Sequence, residues 1–306
     1  MTKMLKIVVC VSSSFFSESP VSVKLTDGKI ATGTKGPVIE AVNYSDRCAL
    51  EEAQRFKQEC GDVEVTVVMA GPPDYQWVLE SCFCFEIDKA VYLQVSDWEP
   101  MDSYGCSLII SDFIREVGAD LVLCGDVNTD FESGQVAPIL AELLSIPYVS
   151  RAIGLSIIAG QSNMEVERKL TRGNRQRLRV TLPAVASVDI AANQPRYISV
   201  HSRIKENKGK PVIVTPIDRQ ELESKFKGPI NLVNILNIGP VRLRPKKVAI
   251  PDSKMSAQDR LSFLMGGGNK KKSSNGDKEI LEGKTETQVD KTLAFLKKSL
   301  PDLNKE

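Results

Sequence analysis

Residues 1–150 alternate between short apolar runs and stretches with helical periodicity, and this alternation limits the possible folds more than any other feature. Ile7 to Val11 is a continuous apolar run, as expected for a strand buried on both faces of a sheet. Further along, Ala49, Ala53 and Phe56 fall at i, i+4 and i+7, which is one face of an α-helix. Repeated units of this kind predict a parallel sheet covered by helices.

The units that follow keep the same pattern. Further strands are predicted at Val63–Ala70, Ala90–Val95, Asp120–Cys124 and Tyr148–Ile153, and further helices at about Asp74–Phe85, Ser103–Val117 and Gln135–Leu144. A long loop is predicted between Ser13 and Val42. The first half of the chain is therefore expected to be an α/β domain with a doubly wound, mostly parallel sheet of five strands.

Beyond residue 150, β-branched runs separated by turn residues replace the helical pattern. Antiparallel β-hairpins at the edge of the parallel sheet are predicted at residues 153–158, 164–170 and 176–190. We expect residues 1–215 to form one domain and residues 216–306 to form a C-terminal arm. Within the arm, residues 266–279 have the composition of a flexible linker, and Val289, Leu293 and Leu296 are spaced for a short terminal helix.

Charge, cysteine and histidine usage exclude several classes of function. The formal net charge is +1, from 40 basic and 39 acidic side chains, so a general nucleic-acid binder is not expected. Seven scattered cysteines without a CxxC pair form no disulfide framework. His201 is the one histidine of the chain, so a zinc site or a histidine-based catalytic triad is not expected. We predict neither catalytic nor metal-binding residues.

The amino-terminal apolar run is far too short for a signal-peptide core or a membrane span. We therefore expect a soluble protein of the cytoplasm or of an organelle matrix, without direct membrane insertion.

Three segments should meet at the carboxyl edge of the sheet, where doubly wound proteins bind their ligands: one ends the first predicted strand, one enters the helix after the long loop, and one follows the fourth predicted strand. They are VVCVSSS, AVNYSD and LCGDVNTDFESGQVAPILAELL. In the third, the amides of Gly134, Gln135 and Val136 would be unpaired first-turn donors, which suit a phosphate. Asp126, Asp130 and Glu132 would favour ribose hydroxyls or cap the turn. A simple helix cap without a ligand remains the alternative.

This loop matches neither GxxxxGK[ST] nor GxGxxG. It therefore gives no sign of a phosphorylating enzyme or of the common dinucleotide fingerprint.

Taken together, several motifs resemble the beta subunits of electron transfer flavoproteins. In order along the chain they are KIVVCV, PVIEAVNYSDRCALEEAQRFK, VTVVMAGPP, GADLVLCG, the DxExxQVAPILAELL run, VERKL, LPAVASVDIAANQPRYISV and KGKPV. They cover about residues 4–215, and the block from LPAV to NQPRY is the most distinctive.

The resemblance implies a Rossmann-like fold of the adenine nucleotide alpha hydrolase type that holds AMP, or a second FAD in electron-bifurcating members. It implies an alpha subunit that binds the redox-active FAD, a flavin dehydrogenase as electron donor, and a quinone oxidoreductase or another acceptor, which can be membrane-associated. The donor expected from the family is an acyl-CoA dehydrogenase of fatty acid oxidation. On this reading the chain is an electron-carrier subunit without catalytic residues of its own.

Site residues are carried over position by position. The resemblance implies a nucleotide site formed by Cys10, Asn43, Tyr44, Ser45, Asp46, Ala70, Gly125, Asp126, Val127, Asn128, Thr129, Asp130, Phe131, Glu132, Ser133, Gly134, Gln135 and Val136. It also implies a loop that recognises the dehydrogenase, formed by Arg196, Tyr197, Ile198, Ser199, Val200, His201, Ser202, Arg203, Ile204 and Lys205. Val200 falls at the apolar position that anchors this loop in the partner.

The chain departs from the family at several of these positions. Ser12 stands where the family has a lysine, and Asp126 stands where it has a basic or polar residue. His201 and Arg203 replace a proline and an apolar residue of the recognition loop. Two alternatives stay open: a bifurcating subunit with a second FAD and NAD(H) as donor, and a stand-alone protein that binds or hydrolyses ATP.

One basic segment lies outside these motifs. Residues 168–179 contain six basic side chains, which we interpret as a solvated hairpin face or a surface that meets the alpha subunit. Glu167 and Arg168 are the residues of interest there.

Overall fold

The computed structural model describes residues 4–17, 21–26, 29–34, 38–73, 75–96, 101–157, 162–198, 200, 210–226, 228–233, 256–262, 289 and 292. The chain forms two compact units, Met1–Pro240 and Val241–Glu306. In the second unit one short helix is described, α6 at Ala257–Ser262. The predicted linker at 266–279 lies outside the described residues.

The elements of the first unit alternate as the sequence predicts. The strands are β1 Leu5–Cys10, β2 Ser13–Ser17, β3 Val21–Thr26, β4 Lys29–Thr34, β5 Val38–Val42, β6 Val63–Gly71, β7 Lys89–Val95, β8 Leu121–Gly125, β9 Tyr148–Ile157, β10 Asn163–Lys169, β11 Arg175–Thr181, β12 Ala184–Val188 and β13 Ile213–Ile217. The α-helices are α1 Tyr44–Cys60, α2 Trp77–Glu80, α3 Ser103–Val117, α4 Val136–Leu144 and α5 Arg219–Phe226, and 3₁₀ turns span Ser81–Phe85 and Thr171–Gly173.

The central sheet has nine strands in the order β11-β10-β9-β12-β8-β1-β6-β7-β13. The strands from β9 to β13 in this order run parallel, and β10 and β11 add an antiparallel edge. From β1 the chain builds outward through β6 and β7, then crosses to β8 on the other side of β1. The strand order therefore reverses between β1 and β8, and the predicted doubly wound α/β fold is confirmed, although its parallel part has seven strands and not the predicted five.

The core has two layers, one on each face of the sheet. Ile7 and Val9 of β1 face a cluster around α1 that includes Phe56, whereas Val8 faces a cluster that includes Leu140 of α4. Helices cover both faces, so the four successive residues Ile7 to Cys10 of β1 are all buried. This double burial explains why the strand is a continuous apolar run rather than an alternating one.

Three local predictions are wrong. Ala184–Val188 is not part of an edge hairpin: β12 lies between β8 and β9, parallel to both, with all five residues buried. The predicted loop between Ser13 and Val42 contains two antiparallel strand pairs, β2 with β5 and β3 with β4. The helix predicted at Asp74–Phe85 is a single turn, α2, followed by a 3₁₀ turn, and Asp74 lies outside the described residues.

The first unit extends past the predicted boundary at residue 215. Strand β13 pairs with β7 and becomes the edge of the parallel sheet. Beyond it, Leu222 of α5 and Ile230 are buried in the second core layer, and Phe226 packs against that layer. Residues up to Pro240 therefore belong to the same compact unit as β1.

Within the described part of the chain, no helix is long and apolar enough to cross a membrane.

Candidate functional site

The carboxyl ends of β1 and β8 meet at the point where strand order reverses, and a buried carboxylate joins them. Asp46, in the first turn of α1, accepts hydrogen bonds from the Ser12 amide at 2.8 Å and the Ser12 hydroxyl at 2.7 Å through Oδ2. Its Oδ1 accepts from the Gly125 amide at 3.0 Å. Burial raises the pKa of the Asp46 carboxyl to about 6, although these hydrogen bonds lower it. One side chain thus fixes the ends of two strands.

Gly125 lies so close to this carboxylate that no side chain fits. A Cβ atom there would be 2.7 Å from the Asp46 amide nitrogen and closer still to Asp46 Oδ1 and Ser45 Oγ. Glycine is therefore required at position 125 by close packing against α1.

Asn43, immediately before α1, connects the loop after β8 to the antiparallel pair of β2 and β5, which we call the ribbon. Its Nδ2 donates to Ser45 Oγ at 2.9 Å and to the Val127 carbonyl at 3.0 Å. Its Oδ1 accepts from Ser14 Oγ at 3.2 Å and from the amide and hydroxyl of Thr129, each at 3.3 Å. The amide group of Asn43 is buried and uses both its donor and acceptor functions.

The loop after β8 is held against the beginning of the ribbon by a second amide. Asn128 Nδ2 donates to Ser12 Oγ at 2.8 Å and to the Ser13 carbonyl at 2.9 Å. Asp130 Oδ2 accepts from the Phe15 amide at 3.1 Å, and the Asp130 amide donates to Asn128 Oδ1 at 2.8 Å. The hydrogen bonds of Asp130 therefore hold the loop after β8 in its conformation.

The last part of this loop leads into α4. Gly134 has a φ of 58°, a conformation that favours glycine. Gln135 is the N-cap residue of α4 and makes no side-chain cap hydrogen bond, and Val136 is the first helical residue. The helix thus begins with first-turn amides that no N-cap side chain satisfies, and such amides can bind an anion.

A polar cluster beside this loop was not predicted. Asp126 Oδ1 accepts from Ser187 Oγ at 3.0 Å, and Asp126 Oδ2 lies 3.6 Å from Arg151 Nε. Arg151 also bonds the buried Asp189 at 3.2 Å, and Lys169 reaches the same carboxylate at 3.3 Å. Burial raises the pKa of the Asp126 carboxyl, whereas Ser187 and Arg151 lower it. Two cations thus lie beside two carboxylates at the carboxyl edge.

Other predicted site residues occupy the rim or the floor of this region. Cys10 is buried in β1 next to Cys124 of β8, and Ala70 lies near the end of the neighbouring strand β6. Tyr44 and Phe131 are exposed, the latter by 80%. Cys10 therefore belongs to the packed core below the crevice, whereas the Phe131 side chain is exposed to solvent.

Glu132 and Ser133 complete the loop. Glu132 is exposed and has a φ of 49°. Ser133 Oγ lies 2.9 Å from Ser103 Oγ at the beginning of α3. The loop after β8 therefore touches α1, the ribbon and α3.

Part of the predicted recognition loop is described. Arg196 is bound to Glu51 of α1, Ile198 is partly buried against the first core layer, and Tyr197 and Val200 are exposed. Ser199, His201, Ser202, Arg203, Ile204 and Lys205 lie outside the described residues.

Ion pairs on the surface of the basic hairpin connect its two strands, β10 and β11. Glu167 bonds Arg175 at 2.9 Å and lies 3.4 Å from Arg177, while Arg168 donates to Ser150 Oγ at 2.7 Å. Much of the positive charge of residues 168–179 is therefore paired within the hairpin.

In the part of the chain that is described, no group of three or more histidine, cysteine, aspartate or glutamate side chains is placed to hold a metal ion. The fold places the chain in the class of doubly wound α/β proteins, and proteins of this class bind their ligands at the switch point, here the crevice between β1 and β8.

Comparison with known proteins identifies the family. The family model described as electron transfer flavoprotein domain matches residues 38–219, more than half of the chain. The chain therefore belongs to the electron transfer flavoprotein domain family, and the predicted resemblance is confirmed. The electron transfer flavoprotein subunit beta of Bacillus subtilis (strain 168) is 30% identical over 73% of this chain and 85% of its own length.

Two further relatives support the same assignment. The electron transfer flavoprotein subunit beta of Syntrophomonas wolfei is 30% identical over 72% of this chain and 84% of its own. The acryloyl-CoA reductase electron transfer subunit gamma of Anaerotignum propionicum is 28% identical over 62% of this chain and 72% of its own. The chain is thus similar to beta subunits and to a related electron transfer subunit.

Proposed function

We propose that this chain is the nucleotide-binding beta subunit of a heterodimeric electron transfer flavoprotein whose alpha subunit holds FAD. The observation that supports this most is that the family match, residues 38–219, includes α1, the loop after β8 and the Arg196 segment together. Relatives over most of the chain are named as beta subunits or electron transfer subunits. This chain would bind a structural nucleotide and present a surface to the electron donor.

The residues of the crevice fit an adenine nucleotide such as AMP. First-turn amides at the beginning of α4 suit the phosphate, and Gly134 permits the backbone turn that precedes them. Carboxylates near a phosphate would oppose binding, but the charge of Asp126 is offset by Arg151 at 3.6 Å. Asp130 accepts a backbone amide instead of facing a ligand freely. A phosphate at Gly134–Val136 is therefore compatible with the acidic residues of the loop.

In the proposed function, FAD supplies the redox chemistry, taking electrons from a flavin dehydrogenase and releasing them to a quinone oxidoreductase or another acceptor. The donor class that we propose is an acyl-CoA dehydrogenase, and one relative is named as an electron transfer subunit of another enzyme that acts on an acyl-CoA, acryloyl-CoA reductase. AMP would stabilise the folded subunit by binding it in preference to the unfolded chain. No side chain of this subunit has to act as acid, base or nucleophile.

Counting released nucleotides tests this proposal. The chain is coexpressed with an alpha subunit, the heterodimer is purified and denatured, and the released nucleotides are separated by chromatography. We expect one FAD and one AMP per heterodimer. Two FAD and no AMP would replace the proposal by the electron-bifurcating alternative, and a stable monomer that hydrolyses ATP would replace it by the stand-alone alternative.

A substitution in the loop after β8 tests whether the released AMP was bound at the proposed site. Gly134→Val places a β-branched residue at a φ of 58°, with its Cβ about 3.2 Å from the Asp126 carbonyl oxygen. We expect the variant heterodimer to lose AMP and keep FAD. Gly154→Ala, whose Cβ would meet Glu167 Cβ at an ordinary 3.7 Å, is the matched control and should keep both. Full AMP content in Gly134→Val would place the nucleotide elsewhere.

A further inference from the structure

After β12 the chain crosses α1, and its first attachment there is Asn193. The Asn193 side-chain amide donates to the Cys48 carbonyl at 3.0 Å and to Glu52 Oε1 at 2.8 Å. Both acceptors are on α1, and the Glu52 side chain is almost completely buried. The segment is thus fixed to the helix three residues before Arg196.

The second attachment is an ion pair between Arg196 and Glu51. Arg196 Nη2 donates to Glu51 Oε1 at 2.8 Å, and Arg196 Nε donates to Oε2 at 2.9 Å. The Arg196 backbone amide adds a bond to Oε2 at 3.1 Å. The side chains are 31% and 17% exposed, so the pair is partly shielded from water. This bidentate geometry fixes both the side chain and the backbone of Arg196.

Glu51 has one partner in the described part of the chain. All the hydrogen bonds described for its carboxylate come from Arg196. Burial raises the pKa of the Glu51 carboxyl, but the hydrogen bonds and charge of Arg196 outweigh burial and lower it. The carboxylate is therefore ionised at neutral pH, and its removal would directly affect Arg196.

The side chains just beyond this ion pair are unusual for a folded surface. Tyr197 is 88% exposed and Val200 is 69% exposed, whereas Ile198 between them packs against the core. Strongly exposed aromatic and aliphatic side chains are a feature of protein-binding surfaces, and these two are separated by only two residues in the chain. A rigid backbone lowers the conformational entropy that is lost when such side chains dock. The attachment of Arg196 to Glu51 therefore favours binding of a partner.

We propose that Glu51 is a positioning residue for partner docking, which through Arg196 holds the chain so that Tyr197 and Val200 face the flavin dehydrogenase. This inference rests on the proposed function and assigns a role to a side chain of α1 outside the predicted recognition loop. With Asn193, Glu51 forms a two-point attachment of the loop to the helix whose first turn lies in the nucleotide site.

The test uses the purified heterodimer with three changes. Glu51→Gln removes the charge and keeps the shape. The double variant Glu51→Arg with Arg196→Glu restores an ion pair with reversed polarity. Glu59→Gln is the matched control, because Glu59 lies on the same helix, is exposed, and bonds Arg55 instead.

Two measurements are made on each heterodimer. Hydrogen–deuterium exchange follows peptides that begin at Arg196, and steady-state assays follow reduction of the bound FAD by an acyl-CoA dehydrogenase with its acyl-CoA substrate. For Glu51→Gln we expect faster exchange and a KM for the heterodimer raised about fivefold to tenfold, with kcat and FAD content unchanged. The double variant should recover most of the loss, and Glu59→Gln should behave as the wild type.

The outcomes separate this inference from the proposed function. If the dehydrogenase reduces the wild type and Glu51→Gln keeps its KM, the positioning role is wrong even where exchange is faster, while the proposed function stands. If kcat falls and KM does not change, Glu51 acts on electron transfer and not on docking, and the inference is again wrong. If the dehydrogenase does not reduce the wild type, the proposed donor is wrong and the inference fails with it.

Discussion

The crevice between β1 and β8 and the hairpin β10–β11 both depend on carboxylates, but in opposite environments. In the crevice, Asp46 is buried and accepts hydrogen bonds of 2.7 to 3.0 Å from Ser12 and Gly125. In the hairpin, Glu165 bonds Arg179 at 2.9 Å, with the two side chains 53% and 64% exposed. The distances are similar, and the surroundings are not.

This difference shows that burial, and not bond length, decides what each carboxylate contributes. The two charges of an exposed ion pair stay largely hydrated whether or not they are paired. The pair therefore contributes little to the free energy of unfolding. A buried carboxylate loses its hydration, and each missing hydrogen bond then has a large cost. We therefore expect substitutions in the crevice to have large effects and substitutions in the hairpin to have small ones.

The largest effect is expected for Gly125→Ala, because the added methyl group would collide with Asp46 and Ser45. Either α1 or the end of β8 must move, and the Asp46 hydrogen bond to the residue 125 amide is then lost. We expect a loss of about 3 kcal/mol in the free energy of unfolding, together with loss of AMP. Urea denaturation of the heterodimer at fixed concentration measures the first, and nucleotide release measures the second.

Gly154→Ala in β9 is the matched control for this prediction. Its Cβ would be 3.7 Å from Glu167 Cβ, which is an ordinary contact. We expect a change of about 0.5 kcal/mol or less. Equal losses in the two variants would mean that the crevice is no more tightly packed than β9, where it pairs with the hairpin strand β10.

The second prediction concerns the pH dependence produced by Asp46. Burial raises the pKa of this carboxyl from 3.8 to about 6, so the folded protein binds the proton more tightly than the unfolded chain. Protonation therefore stabilises the fold fully below about pH 4, and this contribution is lost as pH rises through about 6. The unfolding free energy of the wild type, relative to Asp46→Asn, should fall by roughly 2 to 3 kcal/mol across this window.

Urea denaturation of both heterodimers at pH 4, 5, 6 and 7 measures this difference. Groups that titrate identically in the two proteins cancel. A difference that stays constant with pH would show that Asp46 is hydrated in the folded protein and that the crevice resembles the hairpin, and a difference that rises with pH would show that the hydrogen bonds of Asp46 outweigh its burial.

The contrast between the two regions also explains what the sequence could predict of the fold. Strands β1, β6, β7 and β8 were predicted because each is an apolar run next to a periodic helix. A hairpin is predicted for β12 because it follows β11 after a short turn, yet four of the five residues Ala184–Val188 are apolar and all five are buried. That run was the signal of a strand buried on both faces. Pairing partners, unlike burial, depend on long-range topology.

The candidate site was predictable where backbone requirements are visible in the sequence. Gly125 and Gly134 indicated the loop after β8, and the residues before α1 indicated the segment that this loop contacts. The contacts of Ser12 with Asp46, and of Ser187 and Arg151 with Asp126, were not predicted, because serine and arginine are common on surfaces and their partners are far along the chain. Arg151 lies beside the candidate site because β9 has a bulge at this position, where the φ of Arg151 is 54°. Only the folded sheet brings it to Asp126.

The smallest effect is expected for Glu165→Gln in the hairpin. The change removes the charge that faces Arg179 while leaving the strand pairing between Glu165 and Arg179 intact. Water solvates the freed guanidinium, so we expect a change of about 0.5 kcal/mol or less in the free energy of unfolding, reduced further by salt. Urea denaturation at low and high ionic strength measures it. A loss as large as that of Gly125→Ala would mean that a partner covers the hairpin in the heterodimer, since only desolvation can give an exposed pair such a weight.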